Sequence, residues 1–286
     1  MVKIILKLFA YLPLSINHFI GYLIGNYLYI FKTEAKKITR ININLCFPEL
    51  SSIEKNLLLK KSLIELGKTI TEVGKVWFAP LSHSLNKIKY VINKDILESK
   101  KPIIFLAPHM GCWEIVGNYL AQKLNMTILY LPLKNKKMDN LLVKARESKG
   151  YKLAKADRVG VIKLQRTLAN GNSIGILPDQ NPGSGNGIFV PFFKRDAQTM
   201  TLLCKLARKN NAKVVSVWAE RLAYAKGYQI HLKELNILST TNNIYDDCLI
   251  MNNIIEDIIK QKPEQYQLSY ARFKRDKNNN RTGFYN

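Results

Sequence analysis

Acidic residues are in short supply: 21 Asp+Glu stand against 44 Lys+Arg, a formal net charge of +23 over 286 residues. That imbalance asks for an anionic partner: nucleic acid, a membrane surface, an acidic protein or a phosphorylated substrate. It is not the imbalance of a disordered basic tail protein, because aliphatic and aromatic types make up 47% of the chain. Cysteine is rare and scattered. Cys46, Cys112, Cys204 and Cys248 form no Cys-x-x-Cys pair, which argues against a zinc knuckle or a disulfide framework and for reduced, packed thiols in a cytosolic compartment. Histidine is sparse too, and His18, His83 and His231 have no spacing relation to His109. With no His-Glu-x-x-His and no Gly-x-Ser-x-Gly, neither a metal site nor Ser-His-Asp hydrolysis has its signature. No internal repeat or linker divides the chain, and its length suits one large α/β domain or two small ones.

Permanent charge is missing altogether between Lys7 and Lys32. The run Leu8 to Phe31 is long enough, at ~1.5 Å per residue, to cross a ~30 Å hydrocarbon layer. Pro13, Asn17, His18 and Asn26 interrupt it, and Gly21 and Gly25 form a small-xxx-small pair, so an interfacial helix or a tilted anchor is the alternative to a span. The apolar part exceeds the ~7–15 residues of a signal peptide, and no small-x-small cleavage site follows. Residues 1–35 therefore read as an uncleaved membrane anchor, with a core hairpin of a soluble protein as the bland alternative. Lys32, Lys36, Lys37 and Arg40 outnumber Lys3 and Lys7, which puts the following domain on the cytoplasmic side.

Beyond the anchor, Leu59, Leu63, Leu66, Ile70, Val73 and Trp77 recur at steps of four and three, one buried helical face ending near Pro80. Ile103–Ala107, bounded by Pro102 and Pro108, fits a buried strand. Helices follow at 113–124, 138–149, 161–169 and 201–209, with strands at 127–131, 173–177, 213–220 and 228–235. A last helix places Ile244, Cys248, Met251, Ile255 and Ile258 on one side. This alternation predicts an α/β layered domain over 36–275 with a mostly parallel sheet flanked by helices. The Asn/Lys-rich residues 276–286 read as a disordered basic tail.

The densest chemistry lies in Ile103-Ile-Phe-Leu-Ala-Pro-His109-Met-Gly-Cys-Trp-Glu114. Within one helix, positions five apart differ by about 140°, but the Met110-Gly111 turn can bring His109 and Glu114 together. A buried carboxylate on one imidazole nitrogen fixes the tautomer and raises the basicity of the other, as a general base for a hydroxyl requires. His109 also follows a buried strand directly, where doubly wound sheets form their sites. The competing reading is a locally satisfied His and a Glu favoured in a helix's first turn by the helix dipole.

These residues, with Asn44-Leu-Cys-Phe-Pro-Glu49, Tyr130-Leu-Pro-Leu-Lys-Asn135, Gly175-Ile-Leu-Pro-Asp-Gln180, Val190-Pro-Phe-Phe193 with Thr199, Pro263-Glu-Gln-Tyr266 and Arg272-Phe-Lys274, resemble the late acyltransferases of lipid A biosynthesis, lauroyl and myristoyl transferases of the lysophospholipid acyltransferase superfamily. The resemblance runs over most of the chain. It implies a glycerolipid acyltransferase-like fold at the bacterial inner membrane and transfer of a fatty acyl chain from a thioester, usually of acyl carrier protein, otherwise of coenzyme A, to a hydroxyl of a phosphorylated lipid A precursor. No further cofactor is implied. Carried over, His109 would be the general base and Glu114 its orienter. Arg146 matches a position used for activity, Asp179 and Gln180 match the family's Asp-Gln or Asp-His segment, and Arg146 and Arg158 would meet phosphate or thioester groups. Asp179 would hold an Arg or a substrate hydroxyl.

Three positions depart from the pattern. Leu131 stands where the family often has Arg, and Leu268 and Tyr270 where Trp and His are usual; the first removes a cation near the acceptor, leaving another lipid acceptor, a lysophospholipid or another glycolipid, as the alternative. Glycerophospholipid acyltransferases usually carry Asp where Glu114 stands and a Phe-Pro-Glu-Gly-Thr segment that is absent here. From other classes come a nucleic-acid-binding protein, which the spread of lysines through every segment disfavours because no basic stripe or recognition helix emerges, and a non-catalytic membrane scaffold.

Overall fold

In the computed structural model, residues 2–183, 187–210, 212–278 and 280–285 are described. The uncharged N-terminal run folds as two helices, α1 (Val2–Tyr11) and α2 (Leu14–Ile30), broken where Pro13, locked in φ and lacking an N–H, ends the first and starts the second. Next come α3 (Glu34–Cys46), capped by Thr33, and α4 (Ser52–Phe78), whose start is a Ser51/Glu54 capping box. α4 carries the expected ladder, with Leu59 and Leu63 fully buried. A short α5 (Leu81–Leu85) leads to β1 (Ile88–Ile92) and β2 (Ile103–Leu106).

The alternating part follows: α6 (Trp113–Leu120), β3 (Met126–Tyr130), α7 (Lys136–Glu147), β4 (Lys152–Lys155), α8 (Arg158–Ala169), β5 (Ser173–Ile176), then the antiparallel hairpin of β6 (Gly187–Phe192) and β7 (Arg195–Met200). α9 (Leu202–Lys209), β8 (Lys213–Arg221), β9 (Tyr228–Leu235) and α10 (Ile244–Gln261) complete the order. Seven strands form one sheet in the order β1-β9-β8-β2-β5-β3-β4, every pair parallel except β8–β9. β2 is central and buried on both faces: Ile104 and Leu106 join a core with α8, α9 and α10, while Ile103 and Phe105 join one with α6 and α7. The expected α/β layered, mostly parallel sheet flanked by helices is what forms. All four cysteines are buried and free.

Two expectations change. No helix among the described residues is long and apolar enough to cross a membrane, so the N-terminal run is not a transmembrane helix in this fold; the break at Pro13 divides it, and α2 instead lies along α4. The approach is close enough to demand glycine: a Cβ on Gly21 would sit 2.5 Å from Lys68 Cα, one on Gly25 2.3 Å from Ile64 Cα, and one on Gly67 2.1 Å from Gly21 O. The small-xxx-small pair thus seats against α4 of the same chain. The described part of the 276–286 tail is not loose either. Tyr285 donates its hydroxyl to Asn42 Oδ1 and accepts Phe273 N–H at 3.2 Å, and Thr282 N–H reaches Lys274 O at 3.1 Å. Its polar composition hid these backbone partners.

Candidate active site

Two adjacent parallel strands end at the same level, Leu106 of β2 opposite Ile176 of β5, and each continues through two residues, the second a proline. Ala107 N–H still pairs with Ile176 O at 3.0 Å. The next residues are His109 and Asp179, so the register delivers them side by side. His109 donates its backbone N–H to Asp179 Oδ2 at 2.9 Å and its ring Nδ1–H to Oδ1 at 2.9 Å, which leaves Nε2 as the basic nitrogen. Asp179 is buried. Burial pushes its carboxyl up, but the favourable electrostatics and the hydrogen bonds of the adjoining His109 outweigh it and hold the group below the usual carboxylate range.

The turn after His109 is held on every side. Gly111 N–H donates to Gln265 O at 2.9 Å, Cys112 N–H to Ala219 O at 3.0 Å, and Gln267 N–H to His109 O at 3.0 Å. Gly111 has φ +56°, and a Cβ there would lie 1.9 Å from Ala219 O, so no other residue fits. Trp113 places its ring edge-on to the His109 imidazole, centroids 5.4 Å apart.

Glu114 does not hydrogen-bond His109, contrary to the role the spacing suggested. The first turn of α6 turns it toward α4 and α7, where it accepts Trp77 Nε1–H at 3.0 Å and Arg146 Nε–H at 3.1 Å, with Arg146 Nη2–H on its other oxygen. Burial raises the Glu114 carboxyl, and Arg146 and Trp77 more than offset that, leaving it low. The carboxylate bonded to the His109 ring is that of Asp179, and Glu114 is paired with Arg146. Gln180 lines the same cavity and donates Nε2–H to Gln267 Oε1 at 2.9 Å. Arg158 is not brought in: it stands exposed at the start of α8, outside the cavity lining. Trp77, Gln265 and Gln267 were absent from the expected site; no spacing rule connects positions so far apart to His109.

The cavity measures ≈ 370 Å³. His109, Glu114, Arg146 and Gln180 supply its polar wall, and Phe105, Val116, Gly117, Leu120, Met126 and Tyr151 make most of the rest apolar. Leu131, 76% exposed, and Leu133 also line it and mark where it opens. Among the described residues no group of three or more His, Cys, Asp or Glu side chains could hold a metal ion.

An imidazole hydrogen-bonded to a buried carboxylate at the C-terminal edge of a parallel sheet, beside an apolar cavity, is the arrangement of a proton-transfer class of site. The comparisons give that class its family: the bacterial lipid A biosynthesis acyltransferase model matches residues 1–275, and the chain belongs to this family. It is 28% identical over 276 residues to the lipid A biosynthesis lauroyltransferase of Escherichia coli (strain K12), covering 94% of this chain and 89% of that protein. It is 27% identical over 277 residues to the palmitoleoyltransferase of the same organism, with the same coverage. A lipid A biosynthesis acyltransferase of Haemophilus influenzae is 25% identical over 267 residues, 91% of this chain and 82% of that protein.

Proposed function

We propose that this protein transfers a fatty acyl chain from a thioester, of acyl carrier protein or of coenzyme A, to a hydroxyl of a phosphorylated lipid A precursor. The observation that carries the reading is His109, backed by buried Asp179, on the wall of the apolar cavity, which is suited to an acyl chain. His109 Nε2 removes the proton from the acceptor hydroxyl as that oxygen bonds to the thioester carbonyl carbon, and Asp179 stabilises the imidazolium formed. The carbonyl oxygen becomes an oxyanion; when it collapses the C–S bond breaks, and the thiolate takes the proton back from His109.

The amides of His109, Met110, Gly111 and Cys112 are already bonded within the protein, to Asp179, Pro108 O, Gln265 O and Ala219 O. Oxyanion stabilisation therefore falls to the Arg146 guanidinium and the N-terminal end of α6. Membrane docking follows from the outer face of α1 and α2, where Leu8, Tyr11, Phe19, Leu23, Tyr27 and Ile30 are exposed next to Lys3 and Lys7. Such a face suits an interfacial helix pair on an anionic membrane, the cytoplasmic face of a bacterial inner membrane in this reading. Exposed Leu131 favours a second reading, in which the acceptor is a lysophospholipid or another glycolipid that places no anionic group at this point.

The test incubates purified protein with acyl-carrier-protein thioester and either acceptor. Loss of transfer in His109→Ala with a glucosamine lipid as product supports the first reading. Product only on lysophospholipid supports the second, and full activity of His109→Ala overturns both.

A further inference from the structure

Behind the His109 turn lies a buried ion network that the reaction does not use directly. Arg221, at the end of β8, is fully enclosed. It donates Nε–H to Glu72 Oε1 at 2.8 Å, Nη2–H to Glu72 Oε2 at 2.7 Å and Nη1–H to Glu65 Oε2 at 2.6 Å. Nη2 also reaches Thr69 Oγ1 at 3.0 Å and, decisively, Gly111 O at 3.1 Å. Glu72 receives two more bonds, from His18 Nε2 at 2.6 Å and the Tyr228 hydroxyl at 3.0 Å. The backbone of Arg221 is tied to Gln265, its N–H to Oε1 at 2.8 Å and its carbonyl to Nε2 at 2.9 Å, and the carbonyl of Gln265 accepts Gly111 N–H.

Both polar groups of Gly111 therefore end on this network, one through the guanidinium and one through Gln265. His18 belongs to α2, so an element that packs on the body through its glycines shares a carboxylate with the arginine that holds the turn. We propose that Arg221 is a positioning residue for His109, and that through Glu72 and His18 the seating of the N-terminal hairpin and the geometry of the catalytic turn are parts of one equilibrium. Its physical basis is the penalty for a buried charge that loses a partner: if α2 lifts away, Glu72 loses His18 and opens to water, the carboxylate that fixes Arg221 is held less tightly, and the bond to Gly111 O weakens with it.

The kinetic half of this proposal rests on His109 acting as the base; the structural half does not, and the experiment separates them. Arg221→Lys, Glu72→Gln and His18→Ala are compared with wild type by amide hydrogen exchange and by acyl-transfer kinetics. The control is Arg208→Ala, which breaks a half-buried ion pair between α9 and Asp247 of α10, outside this network. We expect faster exchange at Gly111 and Cys112 in all three variants, and kcat down ten- to a hundredfold with KM for the thioester within about twofold, because small misplacements act on kcat. The control, at similar loss of thermal stability, keeps both at wild type. Should Arg221→Lys fail to fold, Glu72→Gln and His18→Ala, which keep the guanidinium, carry the test. Turn exchange unchanged in His18→Ala while hairpin exchange rises, or an equal kcat loss in the control, overturns the proposal. Linked exchange with no acyl transfer by wild type to any acceptor supports the linkage and rejects the role given to His109.

Discussion

The N-terminal hairpin and the α/β body bury their residues in opposite senses. In the body, β2 is apolar on both faces and every side chain of Ile103–Leu106 is enclosed. In α2, the enclosed positions are Leu14, Asn17, His18, Gly21 and Gly25, while Phe19, Tyr22, Leu23 and Tyr27 face outward. The spacing of each set follows a helical face. The difference teaches that apolar content states how much a segment avoids water, not which side avoids it. Asn17 and His18, which look like flaws in a membrane span, are the residues that mark the side facing the body.

That contrast can be broken from either end. The largest effect is expected from His109→Ala, which should lower transfer by ~10³-fold or more while leaving binding to anionic vesicles unchanged; loss of vesicle binding in this variant would mean that the two regions do not divide the work as described. Next, Asp179→Asn should cost about 10²-fold or more in kcat by unfixing the imidazole tautomer. Glu114→Gln should cost less, since it weakens the hold on Arg146 rather than on His109, and a reversed ranking in steady-state kinetics would restore Glu114 as the orienter.

On the hairpin side, Phe19→Glu with Leu23→Glu should weaken vesicle flotation by roughly 10- to 100-fold per residue, from the ~1.5–3 kcal/mol lost when a large apolar side chain is no longer buried in lipid, at unchanged thermal stability of the body. Gly25→Ala acts within the fold, forcing a methyl against Ile64; urea titration should show a loss of about 1–3 kcal/mol. The smallest effect near neutrality is that of pH. Asp179, Glu114 and Glu72 are all held below the carboxylate range, so the folded state binds fewer protons than the unfolded one. Their contribution is complete above the unfolded values near ~4 and disappears as pH falls through the lower folded values. The melting temperature should be flat from about pH 7 to 5 in this respect and drop below ~4, with a shallower drop in Glu72→Gln.

Much of the body was legible because its signals are local. The ladder on α4, the Pro-bounded β2 and the one-sided α10 all announce themselves by period and length. β1 and β4 did not: Ile88–Ile92 is only half-buried, and Lys152–Lys155 has two apolar residues between lysines. The β6–β7 hairpin carries no such signal, since its turn places Phe193 and Lys194 at positive φ without the glycine or asparagine that usually marks one. His109 was found from its place after a strand. Sequence separation favours the near carboxylate of Glu114 as its partner, whereas the hydrogen bond runs to Asp179, seventy residues away. A cue was present: Leu106-Ala-Pro-His109 and Ile176-Leu-Pro-Asp179 are the same phrase, a buried strand, a spacer, a proline and a titratable residue. Strands that end alike and lie adjacent deliver such residues to one place, and adjacency was the missing fact.

The ion network also imposes an order in time. Glu72 is made 54 residues after His18, but Arg221 comes 149 residues after Glu72. At about 5–20 residues per second, the ribosome spends roughly 7–30 s with the hairpin and its carboxylate complete and the arginine still to be polymerised. During that interval Glu72 has no guanidinium to compensate its burial, so the hairpin lacks its full reason to close on α4. Its apolar outer face is nonetheless finished. Translation therefore completes the greasy surface first and the locked Gly111 turn afterwards, so the outward apolar face exists before the turn to which it is tied can set.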